Sequence, residues 1–574
     1  MATEPARVWR AKDVDEQAVA DLVSSLHLHP LIATILATRG QTDPAAVPAF
    51  LEASLANMPD PSLMADIRLA AQRLVTAIKT GEKIVVYGDY DVDGVTSSAV
   101  LWLFFRDVFG VELETYIPHR LTEGYGLNAK AIDTLARQGA QVLVTVDNGS
   151  SAINEIAQAR ALGMDVIVID HHQVSDPEPT AYAHLNPHRT VCDYPYKGLA
   201  AVGVAFILLV EIRRVLRESS DFSGPMPRPD HYLDLVALGT VADVAPLTGL
   251  NRAIVRFGVQ QMRRRCRPGI LSMLRAAGGQ LDALTERDFG YKLGPRINAA
   301  GRLDDASRGL RLLINEDPAL ISQLTAVVEQ QNSERKQLQS KMAEEALAMA
   351  AQPQYAADSV LVLASENWHP GVVGIVASKI VEAFHKPTIL LALDGGVLKG
   401  SARSTGDVNI KAALDKCASM LMRYGGHVAA AGMTLRPDKL DTFRDALSRA
   451  VDAVRTGEAG TPPYYYDAEI PLDDFRRGVL DLVQKVGPFG QENPAPVLLT
   501  RRIRAGARPL RGGHLKLLID GPEGPIEGLA WNMLDRAPLL DGPIDILYTP
   551  DVEVWRGRER VVFRIKDFRA SEAQ

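Results

Sequence analysis

Three aspartates at alternate positions, Asp89, Asp91 and Asp93, stand in Gly88-Asp89-Tyr90-Asp91-Val92-Asp93-Gly94, directly after the apolar run Ile84-Val85-Val86-Tyr87. Carboxylates this crowded repel one another and stay ionised at neutral pH only when a cation or hydrogen bonds compensate them. A metal site is the chemistry the spacing suggests, and a solvated acidic turn is the competing reading for so short a motif. Two later apolar runs end in the same way. Val142–Val146 runs into Asp147-Asn148-Gly149, and Val166–Ile169 runs into Asp170-His171-His172. A further apolar segment, Leu233–Ala242, which the pattern leaves as strand or helix, ends at Asp243. Acid and imidazole at several strand ends on one edge of a sheet point to a shared metal cluster.

These residues need a scaffold that brings the ends of separate strands together. From Arg68 the pattern alternates: helix to Lys79, strand Ile84–Tyr87, helix over Val95–Leu103, strand Val111–Tyr116, helix Ala129–Arg137, strand Val142–Val146, helix, strand Val166–Ile169. Strands alternating with amphipathic helices imply a parallel sheet with right-handed crossovers, and such sheets place ligands at the carboxyl ends of their strands.

Gly290–Leu303 reads as a loop dense in glycine, carrying Arg296, Asn298 and Arg302. Such a loop lets backbone approach a ligand closely and its arginines suit phosphate, while a merely structural glycine-rich turn stays open as an alternative. The run Arg263-Arg264-Arg265-Cys266-Arg267 reads as a solvated helix face. Asp317-Pro318 opens a helix, N-cap followed by N1 proline, that could run to about Ala350 as a strut between domains. A second α/β unit follows, carrying Trp368–Ala377, Ser401-Ala402-Arg403 and Tyr424-Gly425-Gly426-His427. The glycines beside His427 could cradle a substrate.

After a linker at Glu458–Pro463, short alternating segments with Gly and Pro turns predict a small all-β domain. Arg501, Arg502, Arg504, Arg508, Arg511, His514 and Lys516 fall between Arg501 and Ile519 with no carboxylate among them. That is either a groove tracking a nucleic-acid backbone or a basic edge strand that blocks aggregation. The expected organisation is an N-terminal helical segment over 1–67 with no visible chemistry, α/β units over 68–316 and 353–457 joined by a helix over 317–352, and a β domain over 464–571.

With 574 residues, 47% of them hydrophobic, the chain can bury several cores. Its net charge of −7 gives no global sign of a nucleic-acid partner, so such a partner must rest on local basic patches. Cys192, Cys266 and Cys417 lie far apart and suit neither zinc nor a disulfide framework, so a reducing compartment is expected. The first residues lack the apolar core of a signal peptide, and the longest apolar run, Gly198–Val210, is shorter than the roughly 20 residues a membrane span needs. A cytoplasmic protein without a membrane partner is expected.

Taken together, Gly88–Gly94, Asp147, the Asp170-His171-His172 triplet and Asp243 resemble the DHH phosphoesterase superfamily. The Gly425–Gly432 run, with one extra alanine, resembles the DHH-associated domain. The 294–303 segment, Ser401–Arg403, the long helix and the basic β tail are similar to the RecJ-type single-stranded-DNA-specific exonucleases of that superfamily. The resemblance implies a parallel-sheet DHH domain, a second α/β DHH-associated domain joined to it by a long helix, and a C-terminal β-barrel of OB-fold type. It implies a 5′-to-3′ exonuclease of DNA repair and recombination that releases 5′-mononucleotides by two-metal activation of water with Mn²⁺ or Mg²⁺.

Carried over by residue, the implied catalytic metal ligands are Asp91, Asp93, Asp147, His171 and Asp243, with Asp147 bridging. Asp89, Asp170 and His172 hold them in place, His172 also counting among the catalytic residues. A pocket for the 5′-terminal phosphate draws on Arg120, Ser401 and Arg403, and Tyr125 stacks on a terminal base. Arg296, Asn298, Arg302, Gly425, Gly426 and His427 complete the substrate-binding set, and Arg501, Arg502, Arg504, Arg511 and Lys516 form the nucleic-acid groove. The implied partner is single-stranded DNA with a free 5′ end, met by a monomer. The family's repair context makes a single-strand-binding protein and a helicase plausible companions. Two other readings compete: a small-substrate DHH phosphodiesterase acting on dinucleotides or nanoRNA, and a non-catalytic DHH-like replication scaffold that binds DNA.

Overall fold

The computed structural model describes residues 7–120, 123–124, 126–219, 222–303, 305–457, 462–555 and 558–572. The apolar runs around the acidic turn form a five-stranded, all-parallel sheet in the order Glu114–Tyr116, Ile84–Gly88, Val142–Val146, Asp165–Ile169, Ala183–Leu185. Its central strands, Ile84–Gly88 and Val142–Val146, are buried at every residue, as expected of parallel strands covered on both faces by helices. The edge strand is shorter than its apolar run suggests, because only Glu114–Tyr116 finds partners, at Val85–Tyr87.

The helix after the acidic turn starts at Val92, earlier than the sequence pattern indicates. Asp91 caps it, its carboxylate accepting from the Asp93 and Gly94 N–H groups at 2.9 and 3.2 Å, so Asp93 rides on the first helical turn. Leu233–Ala242 is a helix with Asp243 at its carboxyl end.

The expected loop at 290–303 is helical instead: a π-helical turn over Phe289–Leu293 runs into an α-helix over Gly294–Leu303. Its glycines serve contact, for a Cβ on Gly301 would lie 2.5 Å from the Tyr90 carbonyl oxygen. This helix therefore packs directly on the acidic turn. In the Arg263–Arg267 run, Arg263, Arg264 and Arg265 are exposed, as a solvated helix face requires, while Arg263 also donates from Nε and Nη2 to Leu284 O and Arg267 Nε pairs with Asp234 at 2.7 Å.

The long helix spans Pro318–Ala350, 33 residues capped by Asp317, or about 50 Å at 1.5 Å per residue. Leu324 and Val328 pack into the core of the first unit, and Met342 and Ala346 into that of the second. The second unit carries a mixed sheet in the order Leu421–Gly426, Ala430–Leu435, Val397–Arg403, Thr388–Asp394, Leu361–Ser365. The third carries a seven-stranded sheet in which Ile544–Trp555 and Arg558–Ala570 form the long central pair and Ala505–Leu510 an edge.

The N-terminal helices Glu16–Leu26, Pro30–Ala37 and Val47–Glu52 belong to that third unit, where Leu22, Ile35 and Val47 share one core with Leu480 and Val483. Trp9–Ala11 pairs in parallel with Tyr464–Tyr466. Gly198–Val210 lies in and beside the largely buried helix Ala201–Glu218, and no helix of the described residues is long and apolar enough to cross a membrane.

Candidate metal centre

Four chain segments converge at the carboxyl edge of the parallel sheet. Oxygen and nitrogen atoms of Asp89, Asp91 and Asp147, of Asp93, His171 and Asp243, and of Asp147, His171 and His172 lie within 4.8 Å of one another in each group. Asp147 and His171 each belong to two of the groups, so the three sets join into one cluster. His171 Nε2 lies 3.2 Å from Asp147 Oδ1, 3.6 Å from Asp243 Oδ2 and 3.7 Å from Asp93 Oδ2. The five residues implied as ligands are brought together, and Asp89 and His172 come as close as they do.

Backbone devices aim these side chains. Asp147 occupies the left-handed region at φ 62°, a conformation costing of order 1–3 kcal/mol that persists where the surroundings fix it. Asp93 accepts from Ala201 N–H at 2.7 Å and Val202 N–H at 2.9 Å, at the amino end of Ala201–Glu218, where the helix dipole favours negative charge. Asp170 is fully occupied: it accepts from the N–H groups of Ser150, His171 and His172 and bonds His172 Nδ1 at 2.8 Å. It orients the His172 imidazole, fixes the backbone at His171 and has little left for a cation.

The electrostatics show what the cluster lacks. Burial, followed by the charge of Asp91, pushes Asp93 up to about 7. The same causes hold Asp89 and Asp147 well above the usual carboxylate range, and burial with Asp93 and Asp91 raises Asp243. Burial pulls His171 down to about 4, which leaves it neutral and able to ligate. His172 is raised: burial opposes its charge, and the bond to Asp170 outweighs that. Asp89 Oδ1 is buried without a hydrogen-bond partner, and among the described residues Asp89, Asp91, Asp93 and Asp243 form no ion pair with Lys or Arg. Oxygen donors with imidazole and no thiolate fit Mg²⁺ or Mn²⁺ better than zinc, so the residues present suit a pair of hard divalent cations.

A basic wall faces this cluster. Arg302 is pulled down to about 10 by burial and by Arg120 and Arg335, and Arg403 is lowered by burial and Arg120. Arg120 lies over the Tyr90 ring, 4.9 Å from its centre. Ser401 Oγ accepts from Arg403 Nη1 at 2.8 Å, and a Cβ on Gly374, at the start of Val373–Phe384, would sit 2.9 Å from both Ser401 Oγ and Arg403 Nη2. That glycine lets a helix amino terminus press against the pair. A cavity of about 150 Å³ beside Ala242 is lined by Asn298, Arg302, Arg335 and Ile375.

Sequence reasoning missed Gly374 and Arg335. The signal for the first was the Gly371-Val372-Val373-Gly374 spacing at a helix start, and nothing in the sequence pointed to Arg335. Arg296, expected in the substrate-binding set, forms a bidentate pair with Glu329 of the long helix, at 2.6 and 3.0 Å, and fastens two helices together. Gly425 and Gly426 sit in a hairpin whose turn holds the exposed His427, with Gly432 paired to Ser401 one strand away. Tyr125 lies outside the described residues.

The basic stretch of the third unit divides into paired and exposed side chains. Arg501 pairs with Glu469 at 2.9 Å and Asp545 at 3.6 Å, and Lys516 pairs with Glu527. Arg502, Arg504, Arg508 and Arg511 are exposed.

Comparison with known proteins matches residues 83–240 to the N-terminal domain of the DHH family, 357–453 to the DHHA1 domain and 466–567 to the RecJ OB domain. The chain is 35% identical to the single-stranded-DNA-specific exonuclease RecJ of Bacillus subtilis, over 99% of this chain and 71% of that protein. It is 36% identical to RecJ of Escherichia coli, over 96% of each. Among solved structures, that of RecJ from Thermus thermophilus in complex with Mn²⁺ superposes with a TM-score of 0.82 at 28% identity, covering 99% of this chain and 80% of that one. The Mg²⁺ complex of the same protein gives 0.77.

Proposed function

This chain belongs to the RecJ family of single-stranded-DNA-specific exonucleases, and on that premise we propose how it degrades single-stranded DNA from a 5′ end to 5′-mononucleotides. The observation that carries this reading is the single buried cluster in which Asp91, Asp93, Asp147, His171 and Asp243 meet. Those five residues would hold a pair of Mn²⁺ or Mg²⁺ ions, and Asp147, which belongs to two of the three donor groups, would serve both. The ions, when bound, lower the pKa of water and offset charge on a scissile phosphate.

The chain itself supplies geometry and charge. The Ala201 and Val202 N–H groups fix both oxygens of Asp93, and Asp170 accepts from the His171 N–H and holds the neighbouring His172 ring, so both segments are set before any ion arrives. Asp89, with a buried oxygen that lacks a donor, stands beside Asp91 and Asp147 as a further holder of the cations. Arg120, Arg302 and Arg403, with Ser401, receive phosphates of the strand, and charge developing on the scissile oxygens meets fixed guanidinium groups.

A terminal phosphate held by Ser401 and Arg403 at a fixed distance from the cluster leaves only the first linkage over the reacting centre, which sets the 5′-to-3′ direction. The OB domain holds the strand behind it, through exposed Arg502, Arg504 and Arg511. We place the remaining unit boundaries at 68–316, 317–352, 353–457 and 464–571, with the helices of the 1–67 segment seated in the core of the last unit. The enzyme acts in the cytoplasm as a monomer, on strands that a helicase opens and a single-strand-binding protein covers.

A small-substrate phosphodiesterase would need only the first two units, and a scaffold would not need the assembled cluster. The test is electrophoresis of products from an end-labelled single strand with Mn²⁺, with Mg²⁺ and with chelator. Stepwise release of mononucleotides from the 5′ end, abolished by chelation, is expected. Intact strands in the presence of Mn²⁺ would overturn the reading.

A further inference from the structure

Two arginines on one helix hold two other helices by their carboxyl ends. Arg252 and Arg256 lie one turn apart on Gly249–Arg264 and share a face. Arg256 Nη1 donates to Leu51 O at 2.6 Å and Glu52 O at 2.9 Å. Arg252 Nε donates to Phe50 O at 2.8 Å, while its Nη1 and Nη2 reach Val486 O at 2.6 Å and Lys485 O at 2.9 Å. All five carbonyls close the helices Val47–Glu52 and Arg477–Val486. They are the groups a helix leaves without internal partners, and they carry the negative end of its dipole.

Arg252 is 1% exposed, lies 4.2 Å from the centre of the Phe50 ring, and pairs with no carboxylate among the described residues. A buried cation with no acid beside it is costly, and its position is explained by what it joins. Helix Gly249–Arg264 belongs to the nuclease unit, whereas both capped helices belong to the shared core of the N-terminal segment and the β domain. The joint continues along the chain toward Asp243: a few residues past it, Leu247 N–H donates to Gln491 O at 2.8 Å, and a Cβ on Gly490 would lie 2.7 Å from Leu247 Cδ1.

We propose that Arg252 is a positioning residue through which the nuclease unit fixes the strand-holding unit, and that this joint sets the enzyme's preference for long single strands over short ones. The inference rests on the strand-holding role proposed above for the OB domain. Two binding surfaces joined rigidly act on one strand at high effective concentration, and a loosened joint gives up that gain while leaving each surface intact.

The test compares Arg252→Met with wild type on a tetranucleotide and on a strand of about forty nucleotides, longer than one OB-fold site. The expected result is a KM for the long strand raised about tenfold, with kcat and KM for the tetranucleotide within about twofold of wild type. Equal losses on both substrates, or an unchanged KM for the long strand, would overturn the proposal. If Arg252→Met does not fold, Arg256→Met must show the same split to a smaller degree, and the absence of any split counts against the clamp. Should wild type cut neither substrate, the exonuclease reading itself fails. The clamp is then judged by fluorescence anisotropy with metal-free protein, where Arg252→Met must still weaken binding of the long strand.

Discussion

The metal centre and the outer face of the β domain hold similar amounts of charge and use it in opposite ways. In the metal centre, five aspartates crowd around two imidazoles, and burial raises four of those carboxyl groups above their usual range. On the β-domain sheet, acids and bases alternate across strands. Lys516 meets Glu527, Arg560 bridges Glu527 and Glu553 at 2.6 and 3.0 Å, Arg564 bridges Glu553 and Asp551 at 3.0 and 2.8 Å, and Arg287 of the nuclease unit takes Asp551 at 3.1 Å. One region is completed by a ligand, and the other is already complete. What separates them is whether opposite charge lies within a few ångströms, and that depends on strand pairing.

The strongest way to break this contrast is to remove the shared acid of the cluster. Asp147→Ala should lower hydrolysis of a labelled strand by at least about 100-fold, the upper end of what loss of even a supporting contact costs at a metal site, while anisotropy shows DNA binding retained. Full turnover by this variant would remove Asp147 from the metal set. Arg403→Ala should have a smaller effect, lowering the preference for 5′-phosphorylated over 5′-hydroxyl ends by about tenfold, as expected for one charge-assisted contact. An unchanged end preference would take Arg403 out of the phosphate pocket.

A third test uses the raised carboxyl groups. Asp93 moves from an ordinary 3.8 to about 7 in the folded chain, so its contribution to stability is fully present below the lower value and is lost as pH rises through the higher one. Melting of chelator-treated protein should therefore shift to lower temperature as pH rises across that window. Added Mn²⁺, which competes with those protons, should raise the melting temperature more at the alkaline end. A metal-free protein whose stability rises with pH there would show that the carboxylates are compensated in some other way.

The smallest effect should come from the paired face. Lys516→Ala should leave affinity for single strands within about twofold and cost about 0.5–1 kcal/mol of stability at most. Arg511→Ala should reduce the salt dependence of binding by about one phosphate contact. Equal losses from the two variants would mean that the ladder binds DNA after all.

The contrast also explains how far the sequence could be read. Asp91, Asp147 and His171 were legible because each stands just past a strand that periodicity identifies, and the topology of a parallel sheet brings such ends to one edge, whereas Asp243 ends a segment that the pattern left as strand or helix and that is a helix. The pairing of Lys516 and Arg501 was not legible because their acids, Glu527 and Glu469, come from other strands, and register is not written in a local window. The Arg296 pair was hidden in the same way, since Glu329 lies on the long helix. The 290–303 segment read as a loop because glycine is a poor helix former. There Gly301 serves close approach to Tyr90, a tertiary requirement that propensity cannot express. The N-terminal helices were visible, but the core they enter is more than 400 residues away in the chain, as the pairing of Trp9–Ala11 with Tyr464–Tyr466 shows.

That pairing carries a consequence for biosynthesis. At the roughly 10 residues per second of a working ribosome, the strand at Trp9–Ala11 waits tens of seconds for its mate to be made. Meanwhile the apolar faces of three early helices have nowhere to go, and they are natural targets for chaperones. A product cut short before Tyr464 would fold its nuclease units with those helices unseated, so premature termination would mark a defective molecule by its own exposed N-terminal segment.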